Sequence, residues 1–157
     1  MKRIIIYVGI LAAMLVAPVE RADVGKLRPV QAVAIYKEND WVIIETDTED
    51  LGIGATAQQA LQNLQDTTAG IIYLDTAEYL LLSKDAQETA EQLRGELKDT
   101  VELCLMEQKV DIKESAKFLA AHGKLPKLKH WQNGQELPSL TRFGDRITFL
   151  KKVENSA

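Results

Sequence analysis

The sequence predicts a mixed α/β (α+β) fold, a mixed β-sheet with about three helices packed on it. Short β-prone runs alternate with segments whose apolar residues recur at helical spacing, which is the pattern of a sheet covered by helices. The 157 residues are 46% hydrophobic, which suffices for one ordinary core and is short for two domains. The predicted order is β-β-α-β-β-α-β-α followed by a C-terminal tail.

The first 22 residues differ in composition from the rest. Lys2 and Arg3 precede an uncharged apolar run over residues 4–19, a pattern typical of an export signal. The run is slightly shorter than the ~20 residues of a membrane-spanning helix, and without a polar face it fits a buried core helix badly. We therefore expect residues 1–22 to be a signal peptide or membrane anchor, with the remainder on the extracytoplasmic face, or secreted if the leader is cleaved.

A β-hairpin opens the predicted domain. Residues 30–36 and 41–46 are apolar and β-prone, and residues 37–40 form the turn between them. Trp41, at the start of the second strand, is expected in the core. Residues 47–50 form an acidic loop after the hairpin.

The first helix is predicted to begin after Thr56. The Thr56 side chain is a good N-cap, and Gln59, three residues later, completes a capping box. The helix ends near Thr68, and its apolar stripe consists of Ala60, Leu61 and Leu64.

The remaining elements follow the same alternation. Apolar runs over residues 71–74 and 79–82 predict two short strands or one interrupted strand, and residues 100–107 predict another. Two helices are expected, one capped by Ser83 or Asp85 and running to about Leu97, and one capped by Asp111 with Glu114 and ending at His122 and Gly123. The tail contains a strand-like run over residues 146–150.

Charge divides the chain after the leader into two parts. Residues 23–123, the expected mixed α/β domain, carry 9 Lys and Arg against 19 Asp and Glu, a net charge of −10. Residues 124–157 carry 7 against 3, a net charge of +4, and are expected to be a basic tail that packs on this domain, with Trp131 covering the core. The acidic body excludes nucleic acid as the main partner, because phosphates require a basic face.

Residues 52–57 match a dinucleotide-binding pattern, G-x-G-x-x-A, between a strand and a helix. Asp75 ends the next strand about 20 residues later, as that pattern requires. Gly52, Gly54 and Thr56 are therefore candidates for anion binding at the N-terminus of the helix. The acidic residues before Gly52 lengthen the turn and repel phosphates, so a loop that leads into a capped helix is the simpler interpretation, and no cofactor is predicted.

The residues that could support catalysis do not form a recognisable set. Cys104 lies in an apolar stretch and is expected to be a small buried hydrophobe. His122 and His130 have no Cys or His companion at metal-binding spacing, and the acidic loop does not match a calcium-binding hand. We expect no catalytic, cofactor-binding or metal site, and hence no enzyme.

Several segments succeed one another in a characteristic order: residues 23–27 before residues 30–35, a hairpin, Gly54-Ala-Thr56 opening a helix, Gly70-Ile-Ile-Tyr73, and residues 79–82 before a further helix. In this order residues 25–119 resemble the N-terminal domain of the Ger(x)C-type lipoproteins of spore germinant receptors. The lipidated cysteine of that family is absent, its two further domains do not fit in this chain, and Asp75-Thr76 stands where the family often has a histidine. The resemblance implies a non-enzymatic envelope protein linked to sporulation or germination.

The expected function is that of a non-catalytic extracytoplasmic interaction or structural protein. It would be anchored in the membrane through residues 4–19 and would bind an envelope protein partner. The alternative is a domain that binds a small anionic, nucleotide-like ligand through Gly52, Gly54 and Thr56.

Overall fold

The computed structural model describes residues 26–150. The predicted signal peptide or anchor, residues 1–22, and the last seven residues of the predicted tail lie outside this range. Between residues 26 and 150 no helix is long and apolar enough to cross a membrane.

The described chain contains nine strands and three α-helices, in the α+β class that the sequence predicts. The strands are β1 (Leu27–Pro29), β2 (Ala32–Glu38), β3 (Trp41–Thr46), β4 (Leu51–Gly54), β5 (Ile71–Tyr73), β6 (Tyr79–Ser83), β7 (Glu102–Met106), β8 (Ser139–Phe143) and β9 (Arg146–Phe149). The helices are α1 (Ala57–Thr67), α2 (Gln87–Gln92) and α3 (Ile112–His122), and short 3-10 turns occupy Leu74–Thr76, Lys84–Ala86 and Leu128–His130.

Seven strands form one mixed sheet in the order β4-β3-β2-β6-β7-β8-β9. Strands β2, β6, β7 and β8 run parallel to one another, whereas β4-β3-β2 and β8-β9 are antiparallel. Strands β1 and β5 form a separate parallel pair. The mixed sheet that the sequence predicts is therefore confirmed.

Helices cover both faces of this sheet. Helices α1 and α2 pack on one side, here the first face, and α3 packs on the other, the second face. Val33 and Ile35 of β2 point to the first face, whereas Ala32 and Ala34 point to the second, and all four are buried. Strands buried on both faces need apolar residues at every position, which explains the continuous apolar runs in the sequence.

Four elements differ from the expectation, and two of them, β1 and β8, are strands that were not predicted. Leu51–Gly54, expected within a loop, forms the edge strand β4. The second predicted helix is shorter, since a 3-10 turn follows Ser83, α2 ends at Gln92, and the chain reaches Leu97 through turns. The prediction that Ser83 or Asp85 caps this helix is wrong, because the N-cap residue of α2 is Ala86 and no side chain forms a cap hydrogen bond there. Leu93 and Leu97 are nevertheless buried, so the apolar spacing identified the core positions although the helix does not continue through them.

Residues 124–150 are part of the same domain. The Leu103 N–H donates to the Pro126 oxygen at 2.8 Å, and the Leu128 N–H donates to the Val101 oxygen at 2.8 Å, so the chain crosses beside β7. Trp131 is 1% exposed and packs in the first-face core, as expected. Because β8 and β9 then extend the sheet, the basic segment completes the fold.

Candidate interaction surface

Gly52 and Gly54, the candidate anion-binding glycines, lie in β4 with α1 directly against them. A Cβ atom on Gly52 would lie 2.1 Å from the Ala60 oxygen and 2.6 Å from the Leu64 Cβ. A Cβ atom on Gly54 would lie 2.3 Å from the Ala60 nitrogen. The two glycines therefore allow a strand and a helix to approach more closely than any larger residue would permit.

Thr56 is the N-cap of α1, as predicted. Its hydroxyl oxygen accepts a hydrogen bond from the Gln59 N–H at 3.2 Å, and its carbonyl oxygen accepts from the Ala60 N–H at 3.0 Å. The Gln59 side chain accepts from the Ala55 N–H at 3.1 Å, one residue before the position expected in a capping box. The N–H groups of Ala55, Gln59 and Ala60 are thus already used within the chain.

The surroundings of these residues also differ from those of a dinucleotide site. Strand β4 is an antiparallel edge strand, whereas the dinucleotide pattern belongs to an inner parallel strand. Asp75 lies in the 3-10 turn Leu74–Thr76 after β5, and β5 does not join the main sheet. The G-x-G pattern in this chain therefore serves the packing of α1 on β4.

Side chains of α1 cover the hydrogen-bonding edge of β4. The Ile53 N–H donates to the Asn63 Oδ1 at 2.9 Å, and the Thr67 hydroxyl lies 3.4 Å from the Leu51 oxygen. Gln59, Asn63 and Thr67 are four residues apart and form one stripe along the helix. An open strand edge favours pairing with another chain, and these three side chains close it.

Among residues 26–150, no helix covers the part of the second face that β3 and β4 form, because α3 packs on β2 and β9. Ile43 pairs with Tyr36 on one side and with Ile53 on the other, and Tyr36 packs against the second-face core. Since side chains two residues apart point to the same face, Trp41 and Leu51 also lie on this side. We call the four side chains of Trp41, Ile43, Leu51 and Ile53 the β3–β4 face.

Three of these large apolar side chains are accessible to solvent. Trp41 is 52% exposed, Leu51 is 42% exposed and Ile53 is 43% exposed, whereas Ile43 between them is buried. The expectation that Trp41 belongs to the core is therefore wrong. Its strand is in the sheet as predicted, but Trp41 points to the part of the second face that no helix of residues 26–150 covers.

Acidic turns lie at both ends of the β3–β4 face. Glu38 ends β2, Asp40 lies in the turn between β2 and β3, and Glu49 lies between β3 and β4. All three are exposed, and none of them forms an ion pair within residues 26–150. Two neighbouring acids have structural contacts, since Asp50 pairs with Arg28 at 2.8 Å and Asp47 accepts from the Gln31 N–H at 3.0 Å.

A polar cluster separates the β3–β4 face from α3. The Tyr36 hydroxyl donates to the Glu45 Oε2 at 2.8 Å, and the Lys109 Nζ donates to the Tyr36 hydroxyl at 2.9 Å and lies 3.3 Å from the same carboxylate oxygen. Burial raises the pKa of Tyr36, and the hydrogen bond to Tyr36 raises the pKa of Lys109. At neutral pH the phenol is therefore neutral, and the positive charge of Lys109 is engaged within the cluster.

The other side chains with reactive or metal-binding chemistry lie apart from this surface. Cys104 is fully buried, its thiol donates to the Pro138 oxygen at 3.0 Å, and burial raises its pKa to about 12. His122 lies at the end of α3, where its Nδ1 is 2.8 Å from the Phe118 oxygen. Residues 26–150 contain no group of three or more His, Cys, Asp or Glu placed to hold a metal ion.

Residues 26–150 form a three-layer mixed α/β domain, and their helices leave part of one sheet face uncovered. Comparison of the chain with protein-family models, with curated proteins and with solved structures found no match. Sequence reasoning missed Leu51 and Ile53 as surface residues. Their alternation with Gly52 and Gly54 was the available signal, because it predicts a strand with one glycine face and one apolar face.

Proposed function

We propose that this chain is a non-catalytic interaction protein of the cell envelope, and that its β3–β4 face binds an envelope protein partner. One observation carries the proposal: Trp41, Leu51 and Ile53 are each 42–52% exposed on one side of a sheet. Contiguous exposed apolar side chains with a polar rim mark protein-binding surfaces. Tryptophan is also among the residues that contribute most to such interfaces.

The proposed location depends on the leader. Lys2, Arg3 and the apolar run over residues 4–19 support a chain held in the cell membrane with residues 26–150 on the extracytoplasmic side. If the leader is cleaved, the same domain is secreted. The resemblance to the spore-germination lipoproteins supports a role in sporulation or germination.

Binding of a small anion at Gly52, Gly54 and Thr56 is favoured less. The two glycines face α1 with no space for a further atom, and the Thr56 oxygens accept hydrogen bonds within the helix. Asp47, Glu49 and Asp50 precede the site in the chain and would repel a phosphate.

Fractionation and cross-linking in cells would test the proposal. The full chain with a C-terminal tag should be recovered with membranes, or in the medium if the leader is cleaved. A photoreactive residue at Ile53 should give a protein adduct of defined mass. The same residue at Lys117, exposed on α3, is the matched control and should give none. Recovery as a soluble cytoplasmic protein, or equal adducts at both positions, would contradict the proposal.

A further inference from the structure

We propose that the segment bound by the β3–β4 face is a basic amphipathic helix of the partner protein, an inference that rests on the proposed function. Helix α1 packs on β3 and β4 from the first face, whereas no helix of the described residues packs on the opposite side of these strands, where Trp41, Leu51 and Ile53 are exposed. Two strands about 4.8 Å apart present a strip about as wide as one helix, which is roughly 10 Å across. A helix beside α3 would complete the second outer layer.

The closed edge of β4 favours a helix over an added strand. A peptide strand would need the N–H of Ile53, which already donates to Asn63 at 2.9 Å, and the N–H of Ala55, which donates to Gln59 at 3.1 Å. Addition of a strand would break these bonds, whereas a helix that lies on the face leaves them intact. The six residues of Trp41–Thr46 extend about 20 Å, which matches about four turns of helix.

The charges around the face determine which sign of charge the partner helix should carry. Glu38 and Asp40 at the hairpin end are exposed acids without an ion pair in the described chain. At the other end Glu49 lines a cleft of about 320 Å³ that contains both acidic and basic side chains, the further acids being Glu45, Asp47 and Asp111 and the bases Lys109, Lys113 and Arg142. Exposed acids without an ion pair in the described chain therefore lie at both ends of the face, and the lysines or arginines of the partner helix should lie beside them, Glu38 and Asp40 being the pair at the hairpin end.

The same charges disfavour two other occupants. An anionic membrane surface would be repelled by Glu38, Asp40 and Glu49. Within residues 26–150 a second copy offers no suitable helix, because neither Ala57–Thr67 nor Gln87–Gln92 contains Lys or Arg, and Ile112, Ala116 and Leu119 of α3 are buried in its own core. A basic helix of a different protein fits both the shape and the charge.

The test uses the full chain in nanodiscs of neutral phosphatidylcholine, with empty nanodiscs as background, and designed helical peptides of about 16 residues that lack tryptophan. One peptide has a leucine face flanked by lysines, a second has glutamates in place of the lysines, and a third is a scrambled version of the first. Trp41 is half exposed whereas Trp131 is buried, so binding should shift the Trp41 emission to the blue. The Trp41→Phe variant assigns this signal.

We expect the basic helix to bind, and the acidic and scrambled peptides to bind far more weakly. Ile53→Ser should abolish binding while the circular dichroism spectrum stays unchanged. Glu38→Gln combined with Asp40→Asn should weaken binding about fivefold. The control is Glu88→Gln combined with Glu96→Gln, which removes the same charge from exposed positions elsewhere in the described chain. This double variant should leave binding unchanged.

Several outcomes would overturn the inference. Equal binding of the acidic and basic peptides would refute the role of charge, and unchanged binding by Ile53→Ser would refute the location. If the chain dimerises and Ile53→Ser abolishes the dimer, a second copy is the occupant of the face. If the chain binds anionic vesicles and Ile53→Ser abolishes that binding, the occupant is a membrane. If no peptide binds but the photoreactive residue at Ile53 still captures a protein in cells, the inference that the partner segment is a basic helix is wrong, and the proposed function stands. If the photoreactive residue gives no specific adduct, the proposed function also fails.

Discussion

Replacement of Gly52 with alanine would place one methyl group between β4 and α1. The new carbon would lie 2.1 Å from the Ala60 oxygen, 2.6 Å from the Leu64 Cβ and 2.8 Å from the Leu64 nitrogen. Carbon atoms in relaxed contact are at least about 3.5 Å apart, so α1 must move outward by about 1 Å. Two of the three atoms belong to the helix backbone, so rotation of a side chain cannot relieve the contact.

The energetic cost follows from this displacement. Ala57, Ala60 and Leu64 hold α1 on the sheet and are fully buried. A gap of about 1 Å removes up to about half of the dispersion attraction between facing atoms. Overpacking typically costs about 1–3 kcal/mol, and the backbone contacts place this variant at the upper end, with a loss of about 3 kcal/mol in the free energy of unfolding.

Thermal unfolding of the full-length chain in a mild detergent, followed by circular dichroism, would measure this loss. The expected decrease in Tm is about 10 °C. Gly95→Ala is the matched control, because no heavy atom lies within 4 Å of the position that its Cβ atom would occupy, and it should change the free energy of unfolding by no more than about 0.5 kcal/mol. If Gly52→Ala unfolds within about 2 °C of the unaltered chain, the packing argument is refuted. If that variant also loses a thermal shift that nucleotides cause in the unaltered chain, Gly52 serves anion binding instead.

Three further predictions concern a helix cap, a thiol and a strand edge. Asp111→Ala removes the side chain that accepts a hydrogen bond from the Glu114 N–H at 2.7 Å, and it should lower the free energy of unfolding by about 1 kcal/mol. A urea titration would measure this, and a loss below about 0.3 kcal/mol would contradict the capping role. Cys104 is fully buried with a pKa raised to about 12, so its thiol should resist a disulfide reagent at pH 8 and react after unfolding; rapid reaction of the native chain would refute its burial. Asn63→Ala frees the Ile53 N–H at the edge of β4 and should promote self-association, measured by size-exclusion chromatography with light scattering. Gln62→Ala, on the exposed side of α1, is the control and should not promote it. Identical profiles of the two variants would show that Asn63 does not protect the edge.

Local signals in the sequence predicted the starts of α1 and α3, although not the start of α2. Thr56 and Asp111 are N-caps in the structure because a side-chain oxygen three residues before a backbone N–H needs no distant partner to reach it. The buried strands were also recognised from their apolar runs, since any position that is covered on both faces must be apolar. The edge strand β4 was missed, because glycine is uncommon in strands and only the approach of α1 explains its presence here.

The candidate surface was not predictable in the same way. A tryptophan at the start of an apolar strand is usually buried, and nothing near Trp41 in the chain indicates otherwise. Its exposure depends on where α3 packs, and α3 begins 71 residues later, at Ile112.

The sequence by itself determined the order of most elements, the residues that cap α1 and α3, and the apolar positions of the central strands, because these depend on neighbours within a few residues. The tertiary structure decided which side of β3 and β4 is covered, that Gly52 and Gly54 face a helix, and that Trp41, Leu51 and Ile53 are exposed together. These features depend on contacts between segments far apart in the chain, and exposure is a property of what packs against a side chain rather than of the side chain itself.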